Sequence, residues 1–216
     1  MKYIIMCGGQ YDDWKTPRQL MQIMGETVVG RTIRLLREAG VDDIAISTND
    51  ERFEECGVPL LHHKNDFHGY TAYGGYWVDC FYPMVEPVCY IMGDVVFSPE
   101  AIQTIVSKET DEIEFFASAP PFDSRYTKEW AEPFAFKVQN TGVFWAAVNK
   151  LKKYQDCGFF ARVPIAWELW QIIKGTTINH VVYTNYTVIN DYTCDIDAPE
   201  DAAVIEQQIK GGESDG

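Results

Sequence analysis

The sequence predicts an α/β fold, a mostly parallel central sheet with helices packed on both faces, on the strength of three observations. Residues 2–6 form a short, almost wholly apolar run that stops at Cys7-Gly8-Gly9, as a strand buried on both faces does where it gives way to a tight loop. Val28 to Ala39 and Asp42 to Thr48 follow as a helix and a second strand, a unit whose crossover runs right-handed. A further apolar run, Val88 to Met92, ends in Gly93-Asp94 in the same manner.

Each element has its own local signal. In the first helix Val28, Val29, Ile33, Leu35 and Leu36 fall near helical spacing, and Gly40 stands where a glycine ends a helix. Ser98-Pro99-Glu100 opens another helix, with Ser at the cap and Pro in the first turn. Glu112 to Ser118 and Pro133 to Val138 read as strands, separated by a Pro-rich aromatic loop. Helices are expected over 141–154 and 163–173, where Trp145, Trp167 and Trp170 sit at core spacing. Val181 to Thr187 is the last strand expected, and a final helix runs from Pro199 towards Lys210.

The 216 residues hold 18 Lys+Arg against 32 Asp+Glu, a formal net charge of −14. A surface so acidic argues against nucleic acid and against an anionic membrane, both of which are bound chiefly through Lys and Arg. At 46% hydrophobic and 14% aromatic the chain buries one sizeable core and is not intrinsically disordered. No repeat or linker divides it, so one domain is expected over 1–210, with a disordered tail at 211–216. Cys7, Cys56, Cys80, Cys89, Cys157 and Cys194 stand singly, with no C-x-x-C pair and no His to complete a zinc site. That usage is the one expected in the reducing cytoplasm. The opening apolar run is short for a signal peptide, and nowhere do about 18 apolar residues run together.

In open α/β sheets ligands bind beyond the carboxyl ends of the strands, and three unusual segments fall there. The first runs Cys7-Gly8-Gly9-Gln10-Tyr11 to Lys15-Thr16-Pro17-Arg18-Gln19-Leu20. Adjacent glycines let backbone N–H groups approach a phosphate, and Lys15 and Arg18 supply positive charge nearby. An ordinary glycine turn with two solvated cations reads the same way. The second is Asp94, a carboxylate among apolar residues that needs a hydrogen bond, a counter-charge or a cation. The third is Asp195-Ile196-Asp197, whose two carboxylates, two apart on extended chain, point the same way. They can share a cation with Asp94, or Asp197 can cap the helix expected at Pro199. His62, His63 and His68 match no metal spacing.

The order of these segments, with Gly25-Glu26-Thr27-Val28 after Pro17-Arg18-Gln19-Leu20, resembles the sugar-phosphate nucleotidyltransferases and cytidylyltransferases over nearly the whole chain. Thr127-Lys128-Glu129-Trp130, Gly142-Val143-Phe144-Trp145 and Asp195-Ile196-Asp197 are most similar to bacterial choline-phosphate cytidylyltransferases. The glycine loop is shorter than the family's usual form, and Arg18 stands where Lys is usual.

The resemblance implies a Rossmann-like three-layer fold of the nucleotide-diphospho-sugar transferase, or glycosyltransferase A, kind. It also implies transfer of NMP, with CTP as the expected donor, to an aminoalcohol, polyol or sugar phosphate, with release of pyrophosphate. Asp94 and Asp197, with Asp195, would then hold magnesium, and Lys15 and Arg18 would stabilise the leaving pyrophosphate. Cys7, Gly8, Gly9, Gln10 and Tyr11 would bind the nucleotide, with the base near Gly74 and Gly75. Tyr126, Trp130 and Glu132 would receive the acceptor as a cage for an ammonium group, or would form an apolar loop or dimer contact. Exposed aromatic loops make a homodimer an expectation. Two alternatives stand beside this: a binding protein of the same fold, and a glycosyltransferase, which would show Asp-x-Asp where this chain has Gly93-Asp94-Val95-Val96.

Overall fold

The computed structural model describes residues 1–8, 16–62, 76–121 and 130–212. Its strands are β1 (Lys2–Met6), β2 (Gln22–Ile23), β3 (Glu26–Thr27), β4 (Ile44–Ser47), β5 (Leu60–Leu61), β6 (Val88–Met92), β7 (Val95–Val96), β8 (Ile113–Ser118), β9 (Pro133–Val138), β10 (Thr187–Ile189) and β11 (Cys194–Asp195). Its α-helices are α1 (Val28–Glu38), α2 (Pro99–Ser107), α3 (Thr141–Asp156), α4 (Ala166–Lys174) and α5 (Asp201–Gly212).

Seven strands form the central sheet in the order β10-β8-β9-β6-β1-β4-β5. Every pairing is parallel except those of β9, which runs against both β6 and β8. β1 pairs with β4 on one side and β6 on the other, so the winding reverses beside β1 and opens a crevice at its carboxyl end.

β6 is buried along its whole length, and β1 along all but Lys2, which requires cover on both faces of the sheet. On one face the register lines up Ile4, Tyr90, Phe136 and Phe115 across four strands. Phe115 stacks on Phe136 with ring centres 4.4 Å apart. α3 and α4 cover this row: Phe144 stacks on Tyr90 at 5.6 Å and Trp167 meets Phe115 edge-on at 4.9 Å. α1 and α2 form the other helical pair.

Local chemistry sets the helix ends. Thr27 Oγ1 accepts from Gly30 N at 3.0 Å to start α1. The helix stops in a Schellman turn, Gly40 N to Arg37 O and Val41 N to Leu36 O, which needs the left-handed φ of +84° that Gly40 adopts. Ser98 Oγ caps α2 at Ala101 N, with Pro99 in the first turn as expected.

Two expectations are corrected. Val181 to Thr187 is not a strand, because Asn185 takes a left-handed φ of 59° and breaks the extension, so pairing begins only at Thr187. The last helix begins at Asp201 rather than Pro199. The Asp201 carboxylate accepts from both Asp197 N and Ala198 N at 2.8 Å, fixing the preceding turn in a non-helical form. That helix runs through Gly212.

A smaller apolar cluster lies beside the main core: Ile23, Val28, Val96, Cys194, Ile196, Ile205 and Ile209. It clamps the chain around β11 between the β2–β3 hairpin and α5. None of the described helices is long and apolar enough to cross a membrane.

Candidate active site

Asp94 reaches the crevice because Gly93 lets β6 cross the end of β1. Gly93 N donates to Met6 O at 3.1 Å, and a Cβ on Gly93 would lie 2.3 Å from that oxygen and 2.7 Å from Cys7 Sγ. Only glycine fits so close a backbone crossing, and the next residue is the carboxylate.

The second acidic segment is brought to the first by a two-residue ladder. β7 and β11 pair antiparallel, setting Asp195 opposite Val95, and Ile196 N donates to Asp94 O at 2.9 Å. Along this extended stretch the side chains alternate. Cys194 and Ile196 enter the small apolar cluster, so Asp195 and Asp197 turn the other way.

Arg18 arrives from the short 3₁₀ turn Arg18–Leu20 that follows Pro17. Its Nη1 donates to Ile196 O at 2.9 Å and to Asp197 Oδ1 at 3.3 Å, with only 11% of the side chain exposed. The Asp197 carboxylate therefore faces Arg18, and it is Asp201 that caps the turn before α5.

These groups open onto one cavity of about 460 Å³. Arg18, Asp94, Asp195 and Asp197 form its charged end, and Trp77, Trp130, Trp167 and Tyr183 supply aromatic wall, with Arg162 beside them. Burial pushes the Asp94 carboxyl up from 3.8 to about 6; the Asp195 and Asp197 carboxylates add to the rise, and Arg18 opposes it. Among the described residues no three acidic, thiol or imidazole side chains form a ready-made metal cage.

Of the residues singled out in the sequence, Arg18, Asp94, Asp195, Asp197 and Trp130 are thus brought together. Cys7 and Glu132 are not among the cavity-lining residues. Cys7 is buried at the end of β1 with its N–H bonded to Ser47 O, and burial followed by the nearby Asp94 pushes its thiol well up. Glu132 is buried behind the wall, its Oε2 accepting from Asp195 N at 3.0 Å. Gly8 is half-buried at the strand's exit. Lys15, Gly9, Gln10, Tyr11, Gly74, Gly75 and Tyr126 lie outside the described residues.

Four aromatic or charged lining residues carried no signal of this role in the sequence. Trp167 reads as core and is 2% exposed, yet its ring also borders the cavity. Trp77 lies on a 3₁₀ turn that periodicity does not predict. Arg162 and Tyr183 lie on chain without regular structure. Arg162 is held by Glu168, which also accepts from Ile165 N at the start of α4.

The model of the MobA-like NTP transferase domain matches residues 3–138, from the first strand through β9. The chain belongs to this family. Within the matched span fall the glycine loop, Arg18 and Asp94; Asp195 and Asp197 lie beyond it. Comparison with curated proteins gives no match.

Solved structures extend the likeness to the whole fold of this nucleotidyltransferase. CTP:phosphocholine cytidylyltransferase from Streptococcus pneumoniae is 16% identical with a TM-score of 0.53, over 96% of this chain and 98% of that one. The inositol-1-phosphate CTP transferase from T. maritima is 15% identical with a TM-score of 0.53, over 98% and 97%. The 4-diphosphocytidyl-2C-methyl-D-erythritol synthase from Anaerococcus prevotii is 12% identical with a TM-score of 0.55, over 97% of each chain. At these identities the likeness is one of fold, and the fold is the Rossmann-like, glycosyltransferase A type expected from the sequence.

Proposed function

We propose that this chain transfers CMP from CTP to a phosphorylated small molecule, an aminoalcohol, polyol or sugar phosphate, with release of pyrophosphate. The observation that carries the reading is the shared cavity, with Arg18 and three aspartates at one end and an aromatic wall beside them. The names of the structural neighbours, three of which use or make cytidyl compounds, support the choice of base.

In this reading an oxygen of the acceptor phosphate attacks the α-phosphorus in line, the bond to the bridging oxygen breaks, and pyrophosphate leaves with the electron pair. Arg18, held by Ile196 O and Asp197, neutralises charge that grows on the leaving group. Gly8 and the glycine loop approach the phosphates through backbone, as does Lys15 through its ammonium. Trp130, Trp167 and Tyr183 pack the body of the acceptor and exclude water, and Arg162 adds a donor for an anionic group there.

Asp94 and Asp197 are hard oxygen donors whose charges repel until a cation joins them. This suits magnesium, which commonly takes one or two carboxylates and fills its remaining positions from phosphates and water. When bound it supplies charge neutralisation at the reacting phosphate. Asp195, across the ladder from Val95, holds negative charge beside the pair.

The test is pyrophosphate release with each of the four ribonucleoside triphosphates, magnesium, and a panel of phosphocholine, sugar 1-phosphates and polyol phosphates. Release that needs CTP and one acceptor is expected. Tight nucleotide binding without release across the panel overturns the reading in favour of a binding protein on this fold.

A further inference from the structure

Glu132 is a carboxylate set behind the cavity rather than in it. It is 1% exposed, and burying a carboxyl group is costly unless its oxygens are hydrogen-bonded. Its use is visible in the ladder next to it. Ile196 N–H points across to Asp94 O, so the N–H of Asp195, one residue earlier, faces away from β7. This partly buried N–H, turned away from the ladder, needs an acceptor, and Glu132 Oε2 supplies it at 3.0 Å.

Glu132 is itself fixed at both ends of its peptide. Its N–H donates to Ser118 Oγ at 2.8 Å, and Ser118 N–H donates to its carbonyl at 2.9 Å. One residue earlier, Trp167 Nε1 donates to Ala131 O at 2.7 Å, and Tyr186 OH donates to Ser118 O at 3.0 Å. Two hydrogen bonds joined by the covalent chain of residues 131 and 132 therefore connect Trp167 in the aromatic wall to the backbone of Asp195 in the acidic end.

We infer that Glu132 is a positioning residue: it holds the Asp195 to Asp197 segment in register with Asp94 and ties that register to the wall that would receive the acceptor. The inference rests on the proposed function, in which these aspartates face a cation-bound nucleotide. Partners behind the liganding groups commonly set affinity for a cation without touching it.

The test measures manganese binding by electron paramagnetic resonance with a non-hydrolysable CTP analogue present, together with kcat and KM, for the wild type, Glu132→Leu, Glu132→Gln and Ser118→Ala. Glu132→Leu is expected to lose about 10- to 100-fold in manganese affinity, with a matching fall in kcat and little change in KM for the nucleotide. Glu132→Gln, whose amide oxygen can still accept from Asp195 N, restores most of the loss. Ser118→Ala keeps the carboxylate but loosens its backbone and falls between them, which decides the matter if Glu132→Leu does not fold. A folded Glu132→Leu with wild-type manganese affinity, even if it melts lower, overturns the inference alone. Wild-type protein that binds no manganese overturns the functional reading and this inference together.

Discussion

Asp94 shows how one residue is pulled in two directions. Its carboxyl is moved from 3.8 to about 6, first by burial and then by the neighbouring aspartates, so the fold favours the neutral form. Support for folding from this group is therefore complete below pH 3.8 and is withdrawn as pH rises through about 6. A rise of this kind is worth at most about 3 kcal/mol between the two protonation states. Asp94→Asn is accordingly expected to melt a few degrees higher than the wild type at neutral pH without divalent cation, and to lose the advantage towards pH 4. In a pyrophosphate assay the same variant is expected to be inactive, as is Asp197→Asn. Arg18, bonded to Asp197, opposes that rise through its charge, and Arg18→Ala is expected to cut turnover by about 10²-fold, the usual cost of removing one charge-stabilising donor. At this scale the sequence was informative about identity and silent about partners. The spacing of Asp195 and Asp197 shows that they share a face, yet only coordinates reveal that Asp197 meets Arg18 while Asp201 does the capping.

Short elements do most of the positioning. The ladder of β7 with β11 is two residues long, and the 3₁₀ turn that carries Arg18 is three, lengths at which hydrophobic periodicity has nothing to repeat. The long elements were legible because their signals are local: apolar runs for β1 and β6, and caps at Ser98 and Gly40. The expected strand at 181–187 failed because one residue, Asn185, turned left-handed, a choice that its neighbours in sequence do not dictate. Two predictions belong here. Gly93→Ala would bring a methyl group to 2.3 Å from Met6 O, where backbone cannot yield cheaply, so it is expected to lower the melting temperature and to displace Asp94, lowering turnover with it. Asp201→Ala removes the acceptor of two backbone N–H groups and is expected to cost about 1 kcal/mol in urea unfolding, as loss of a cap does. Nucleotide affinity should fall with it, because the turn it fixes carries Asp197.

Across the whole molecule, a formal charge of −14 repels the anionic substrates that the cavity would take. Raising salt from about 10 to about 100 mM shortens the screening length from about 30 to about 10 Å and weakens that repulsion. Arg18 is little exposed and is screened less. Apparent KM for the nucleotide at fixed free magnesium is therefore expected to fall over this range, and steady-state kinetics would show it. The parallel strands β1, β4 and β6, the helices that flank them and the glycine exits of β1 and β6 were readable in the sequence, because each follows from the polarity and backbone freedom of residues within one turn or one strand. The meeting of Arg18 with residues 196 and 197, the seat of Glu132 behind Asp195, and the entry of Trp77, Arg162, Trp167 and Tyr183 into one cavity were decided only by the tertiary structure. Such contacts join residues far apart in the chain, and the free energy that selects them comes from closing the sheet and burying both apolar clusters, to which no short stretch of sequence testifies.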